Sequence, residues 1–192
     1  MKNLIIIGHP NVESFCYDGI FKTINSELSK NKEEIEVIDL YRDDFIRPRK
    51  VLTEKYQELV LWSERIYFIS PIWWFRLTPR MEIFFDEVFV PGFAYEFVNI
   101  TKLYAYPRPF LKDKIVRTYV THGAPSFPVR TLYLNSVKLR LVMGVYTFVF
   151  GWRVSLFTKT KQFWSVPFVS ESKRKKYLKS IERDIKKDIR RA

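Results

Sequence analysis

"LIIIGHPNVESF", residues 4–15, is an apolar run that stops at a glycine and gives way to polar residues. Leu4, Ile5, Ile6 and Ile7 show no apolar–polar alternation. That is the pattern of a strand covered on both faces, as in a parallel sheet flanked by helices. A helix-length segment follows over residues 15–29, and the strand–helix unit then recurs. "EIEVIDL" (34–40) predicts a second strand, residues 53–62 a helix capped by Thr53, and "RIYFISP" (65–71) a third strand closed by Pro71. Residues 79–90 predict a helix with Pro79 in its first turn and Met81, Phe84, Phe85, Val88 and Phe89 on its apolar side. "KIVRTYVTHG" (114–123) predicts a fourth strand, residues 137–150 a helix, and "RVSLFT" (153–158) a fifth strand. In a last helix Leu178, Ile181, Ile185 and Ile189 recur at helical spacing. These alternations predict an α/β fold, a doubly wound five-stranded parallel sheet with helices on both faces.

A length of 192 residues, 47% hydrophobic and 17% aromatic, suits one well-filled core, so a single domain over 1–192 is expected. "YAYPRPFLKDK" (104–114) reads as an ordered surface excursion before the fourth strand, suited to a functional loop. The 33 Lys and Arg against 21 Asp and Glu give a net charge of +12, which favours partners bearing phosphate, carboxylate or an anionic surface. Residues 173–191 hold ten basic and three acidic side chains. A solvated helix face is the plainest reading, a nucleic-acid or anionic-membrane footprint the sharper one. Without an aromatic-interleaved basic stripe, no specific nucleic-acid partner is expected.

The single cysteine, Cys16, excludes an internal disulfide and a structural metal site, which fits a reducing cytoplasm. The first apolar run is shorter than the ~7–15 residues of a secretory signal core. "LVMGVYTFVFGW" (141–152), fenced by Arg140 and Arg153, falls short of the ~20 residues that span a bilayer. Cytoplasmic localisation without a transmembrane segment is the expectation.

In doubly wound sheets ligands bind beyond the carboxyl ends of the strands, where the winding reverses. The first such end, Gly8-His9-Pro10 through Ser14, offers amide and hydroxyl donors before a helix N-terminus. It is either a phosphate turn or an ordinary strand–helix connection. The lone glycine rules out a GxGxxG fingerprint, and no GxxxxGK[ST] loop is present. The second end, "SPIWWFRLTP" (70–79), puts Trp73, Trp74 and Phe75 where a loop should be polar. Such aromatics plug the core or offer a stacking surface to a planar ligand. Beside a phosphate turn, they suggest a phosphorylated planar cofactor. The third end, "VTHGAPSF" (120–127), adds Thr121, His122 and Gly123, with His122 either a proton or hydrogen-bond donor or a neutral polar contact. No Ser-His-Asp order, paired-carboxylate motif or HExxH run competes. Asp86 and Glu87 are expected to be solvated on a polar helix face.

Taken together, "GHPNVESF", "PIWWFRLTPRMEIFFDEVFVPGFAYEF", "VRTYVTHGAP" and the final helix resemble the flavodoxin-like NAD(P)H:quinone oxidoreductases, flavin-dependent two-electron reductases. The resemblance implies a flavodoxin-like fold, FAD or FMN as cofactor, NAD(P)H as hydride donor and a quinone or similar small-molecule acceptor. By position, His9, Ser14 and Phe15 match the flavin-phosphate turn, for which the backbone would have to turn at Gly8. Cys16 stands where many members have Asn. Pro71, Ile72, Trp73, Trp74 and Phe75 match the ring-binding loop, and Thr121 and Gly123 the third flavin loop. Tyr95 falls where the family places an aromatic that reaches the partner's active site, which implies a homodimer. "THGAP" replaces a more usual Gly-Gly pair, and the Tyr and His that assist hydride transfer in relatives have no clear counterpart. Tyr133 is the candidate substitute and His122 a further catalytic candidate. The alternative is a flavin-binding regulatory or interaction subunit of the same fold with little turnover.

Overall fold

In the computed structural model, which describes residues 1–190, Leu4 and Ile6 of the first strand enter one hydrophobic layer and Ile5 and Ile7 another. This strand, β1 (Lys2–Ile7), leads through a π-helical segment (Phe15–Phe21) into α1 (Lys22–Lys30). Then follow β2 (Glu34–Asp39), α2 (Lys50–Trp62), β3 (Arg65–Ile72), α3 (Pro79–Val88) and a hairpin of β4 (Tyr95–Thr101) and β5 (Tyr104–Pro109). After β6 (Ile115–His122) come α4 (Ser126–Arg130), α5 (Ser136–Leu139), a second π-helical segment (Arg140–Tyr146), α6 (Thr147–Phe150) and α7 (Val154–Lys159). The chain continues through β7 (Thr160–Phe163) to α8 (Glu171–Ile189). The main sheet runs β2-β1-β3-β6-β7, every pairing parallel. Because β2 and β3 lie on opposite sides of β1, the winding reverses there and opens a crevice at the strands' carboxyl ends.

One face of the sheet is covered by α2, α3 and the helical stretch 136–150, the other by the first π segment, α1 and α8. Phe68 of β3 shows how the first layer closes: it packs edge-on to Phe85 at 5.5 Å and stacks on Tyr146 at 5.5 Å. The second layer is fastened by buried charge. Arg65, fully buried, donates from Nη1 to Asn3 Oδ1 at 2.9 Å and from Nη2 to the Asp188 carbonyl at 3.0 Å. Arg117 grips the Asp188 carboxylate through Nε at 2.7 Å and Nη2 at 2.8 Å. Burial alone would raise the Asp188 pKa, but the Arg117 hydrogen bonds and charge hold it below the usual range. Lys161 pairs with Asp184 in the same way. Asp184 and Asp188 of α8 thus face the sheet while Lys173, Lys175, Lys176, Lys179, Lys186 and Lys187 stand in solvent.

Three expectations are corrected by the structure. "RVSLFT" forms α7, in which only Leu156 is buried, so its apparent alternation belongs to one turn of helix. The fifth strand is the more polar "TKQF", which pairs with β6 from Thr118–Thr160 to Thr121–Phe163. The excursion at 104–114 is half strand: β5 pairs antiparallel with β4, its prolines accommodated because the two-stranded ribbon is all edge. Helix α2 begins at Lys50, so Thr53 lies inside its first turn with its N–H on the Arg49 carbonyl at 2.8 Å. Among the described residues no helix is long and apolar enough to cross a membrane.

Candidate functional site

The carboxyl ends of β1, β3 and β6 surround a crevice of about 740 Å³. At the β1 end, Gly8 donates its N–H to the Ile69 carbonyl at 2.9 Å. A Cβ there would sit 2.9 Å from Thr78 Oγ1, which itself donates to the Gly8 carbonyl at 3.0 Å. The positive-φ glycines are Gly92 and Gly151, so Gly8 is needed for the close approach of the α3 N-terminus and not for a special turn conformation.

Beyond it, His9 Nδ1 accepts the Asn11 N–H at 3.0 Å and Asn11 Oδ1 accepts the Glu13 N–H at 2.9 Å. Burial lowers the His9 pKa. Ser14 occupies the cap position of the π segment, yet its hydroxyl makes no cap bond and is buried without a partner. Arg174 of α8, which lines the same crevice, donates from Nη2 to the Val166 carbonyl at 3.1 Å, while its Nε is buried without a partner. An unmet buried polar group costs roughly 1–3 kcal/mol. Two such donors beside a helix N-terminus fit an anion, above all a phosphate.

At the β3 end, Trp73 and Arg76 exchange backbone hydrogen bonds at 2.9 and 3.1 Å, closing a turn whose central residues are Trp74 and Phe75. Both have positive φ, 52° and 59°, the pattern of a type I′ turn that normally takes Asn-Gly. Each such residue costs on the order of 1–3 kcal/mol, and strain of this kind clusters at functional sites. The turn excludes the core-plug reading. Trp74 is 91% exposed, Trp73 meets His9 edge-on at 5.7 Å, and Phe75 meets Tyr133 at 4.4 Å.

At the β6 end, Thr121 Oγ1 lies 3.5 Å from Cys16 Sγ. Burial pushes the Cys16 thiol up to about 12, so this thiol is inert. His122 stacks on Trp164 at 4.2 Å and lies 3.2 Å through Nε2 from Gln162 Oε1. Gln162 Nε2 in turn donates to Asn135 Oδ1 at 3.0 Å, which leaves Gln162 Oε1 to accept and puts the His122 proton on Nε2. Burial lowers the His122 pKa to about 4 against that hydrogen bond, so the ring is neutral at pH 7.

His9, Ser14, Phe15, Cys16, Pro71, Ile72, Trp73, Trp74, Phe75, Thr121 and Gly123 all line this one crevice, together with His122. Tyr133 sits beside it on Phe75. Tyr95 lies outside its own chain's crevice, edge-on to Phe97 at 5.4 Å. Sequence reasoning missed Val129, Val166, Pro167 and Arg174, which also line it. Only the position of Arg174 at the start of the last amphipathic helix hinted at that residue. Glu87, expected to be solvated, is paired with Arg49.

A doubly wound sheet whose strand ends gather an aromatic wall and unmet buried donors defines an open α/β protein with a ligand crevice at its switch point. More narrowly, the chain belongs to the family described by a flavodoxin-like fold, which it matches over residues 1–144. It is 33% identical over 95 residues to the uncharacterized NAD(P)H oxidoreductase YdeQ of Bacillus subtilis (strain 168), a match covering 50% of this chain and 45% of that protein. The chain spans about half the length of the curated relatives it matches. Among solved structures, Smu.1420 from Streptococcus mutans UA159 is similar with a TM-score of 0.79 at 27% identity, covering 96% of this chain and 98% of that one. The NAD(P)H:quinone oxidoreductase from Methanothermobacter marburgensis gives 0.71 at 20% identity, covering 96% and 95%. An FMN-dependent NADH-azoreductase from Bacillus anthracis str. Ames Ancestor, in complex with FMN, gives 0.69 at 15% identity, covering 97% and 98%. At these last two identities the likeness is one of fold.

Proposed function

We propose that this chain is a flavin-dependent NAD(P)H oxidoreductase that passes two electrons from a nicotinamide nucleotide to a quinone or similar planar acceptor. The observation that carries the reading is the crevice itself, with an aromatic wall at Trp73–Phe75 and two unmet buried donors, Ser14 Oγ and Arg174 Nε, at its other end. FMN is the proposed flavin and FAD the alternative. The names of the similar proteins, which include NAD(P)H oxidoreductases and an FMN complex, support this assignment.

When bound, the flavin supplies the redox chemistry, taking a hydride from the donor and reducing the acceptor. The chain's own work is positioning. Trp73, Trp74 and Phe75 would hold a flat ring and exclude water, while Ser14, Arg174 and the open helix N-terminus would take the phosphate. His122 is neutral and holds its proton toward Gln162, so it orients rather than donates. Tyr133, at the rim on Phe75, is the group left to hand a proton to an acceptor. Tyr95 would serve a partner's crevice in a homodimer, supported by the apolar side chains left open on its hairpin: Phe97, Ile100, Leu103 and Tyr104. A cytoplasmic setting goes with the lone, buried Cys16.

Absorption spectra of the purified protein before and after anaerobic NADPH, with mass identification of released flavin, test the reading. A flavin spectrum that bleaches is expected; a chain that cannot be reconstituted with FMN or FAD sinks it. One observation favours a second reading, a flavin-binding regulatory subunit: His122 is committed to Gln162 and shielded from protonation. Flavin binding with NADPH oxidation no faster than free flavin, across a panel of acceptors, would select it.

A further inference from the structure

Behind His122 lies a second cavity, of about 280 Å³. The two cavities share a wall, since His122 lines the main crevice while Gln162 and Trp164, its hydrogen-bond and stacking partners, line this one. Arg130, exposed at the end of α4, and Lys138 of α5 both line it. Lys138 is half-buried, and burial, then the Arg130 charge, lower its pKa with no acid acting in the other direction. Lys161, which also borders the cavity, is committed to Asp184. Among the described residues Arg130 and Lys138 therefore form a like-charge pair without a carboxylate. The segment between them is strained too, with Leu134 at φ 49° and Asn135 at φ 52°, and Asn135 is held there by Gln162. Two cations that line one recess repel one another, and an anion bound between them relieves that repulsion.

We propose that this cavity is a binding site for a phosphoryl group, held by the Arg130 guanidinium and the Lys138 ammonium. The lining suits that chemistry: a planar fork and a point charge border one recess, while the hydroxyls of Thr158 and Thr160 are spent on the Ser155 and Leu156 carbonyls and leave the anion to the two cations. Two sources carry such a group. One is the nucleotide donor of the proposed reaction, its far phosphate reaching over the shared wall. The other is a separate phosphorylated small molecule. The site stands on its own cations, and only the first source rests on the oxidoreductase reading.

The test is calorimetric titration of the flavin-saturated full chain with inorganic pyrophosphate and with 2′,5′-ADP at low ionic strength, in the unsubstituted protein and in Lys138→Gln, Arg130→Gln and Lys173→Gln. Saturable binding that weakens about tenfold or more in each of the first two variants, and not in the exposed α8 control, is the expected result. If 2′,5′-ADP binds more tightly than pyrophosphate and Lys138→Gln raises KM for NADPH but not NADH, the donor's phosphate is the occupant. If pyrophosphate binds at least as well and KM does not move, the occupant is a separate phosphorylated ligand. Binding that survives Lys138→Gln and Arg130→Gln, or no saturable binding in the unsubstituted chain, overturns the site. Should the chain take up no flavin, the titrations on the flavin-free chain still report on this cavity through the same variants, so the two readings fail separately.

Discussion

Replacing Trp74 with glycine should separate what the fold needs from what the crevice needs. Trp74 holds a φ of 52° and leaves 91% of its surface in solvent. A tryptophan buries up to ~250 Å², so the covered tenth is about 20 Å² and worth roughly 0.5 kcal/mol. The left-handed backbone costs a residue with a Cβ about 1–2 kcal/mol. Glycine takes back ~0.5–1 kcal/mol of that relief through the freedom of its unfolded chain. The net effect lies between a loss of about 0.5 and a gain of about 1 kcal/mol, and a full gain would raise Tm by about 2–4 °C in a chain of this length. Flavin affinity should move the other way, because a lost aromatic contact of ~0.5–1.5 kcal/mol weakens Kd by roughly two- to tenfold. Thermal unfolding of the flavin-free protein, followed by circular dichroism, reads the first effect and fluorescence titration with FMN the second. A loss of more than about 1 kcal/mol in stability would show that the indole carries packing and that the turn is not strained. Unchanged FMN affinity would take the ring out of the site.

Ser14→Ala removes a buried hydroxyl that has no partner, so Tm should hold or rise while FMN binding weakens about tenfold; a fall in both, by unfolding and fluorescence titration, contradicts the anion cradle. Asp188→Ala removes both close hydrogen bonds of the buried Arg117 and leaves it only Asp184, 3.4 Å from its Nη1, so it should cost about 3 kcal/mol in urea unfolding. The Asp188 contribution is fully present above the ordinary carboxyl value of 3.8 and is lost as pH falls through its lower folded value, so acid unfolding should be shallower in Asp188→Asn. His122 works over a higher window: between the ordinary 6.5 and about 4 the unfolded chain binds a proton that the folded chain refuses, so stability declines as pH drops across it. His122→Gln should flatten that part of the stability–pH curve; an unchanged curve would mean that the ring is not shielded.

How far the sequence discloses this depends on whether a feature is local. The run of isoleucines at β1 and the aromatic block after β3 are local, and both mark elements of the sheet and the crevice correctly. β7 is not: it is a four-residue edge strand whose only large buried apolar side chain is Phe163, and the more apolar α7 just before it looks more like a strand. The glycine at position 8 suggests a turn, but its reason is Thr78, seventy residues away. Arg174, Val129 and Val166 reach the crevice from elements whose apolar or basic pattern is explained by packing alone, so no short motif flags them. The Trp74–Phe75 turn runs against local preference, which is why its conformation could not be read from residue types that favour strands.

Helix α8 holds both Arg174, the donor proposed for a phosphate, and the anchor beneath the sheet. Arg174 lies in its first turn and Asp188 in its last, about four turns and 20 Å apart along one rod. The rod is also pinned between these points, by the buried Ile181 and Ile185 and by the Tyr177 hydroxyl, which donates to the Trp164 carbonyl at 3.1 Å, so a disturbance at the Asp188 clamp stops before it reaches the arginine. Asp188→Asn should therefore leave FMN affinity unchanged at full folding, and weaker binding in a fluorescence titration would mean that Tyr177 and the buried isoleucines do not hold the first turn of α8 by themselves. On this geometry the anchorage of the sheet and the end of the helix at the crevice are insulated from one another, so either could drift in sequence without the other inheriting the change.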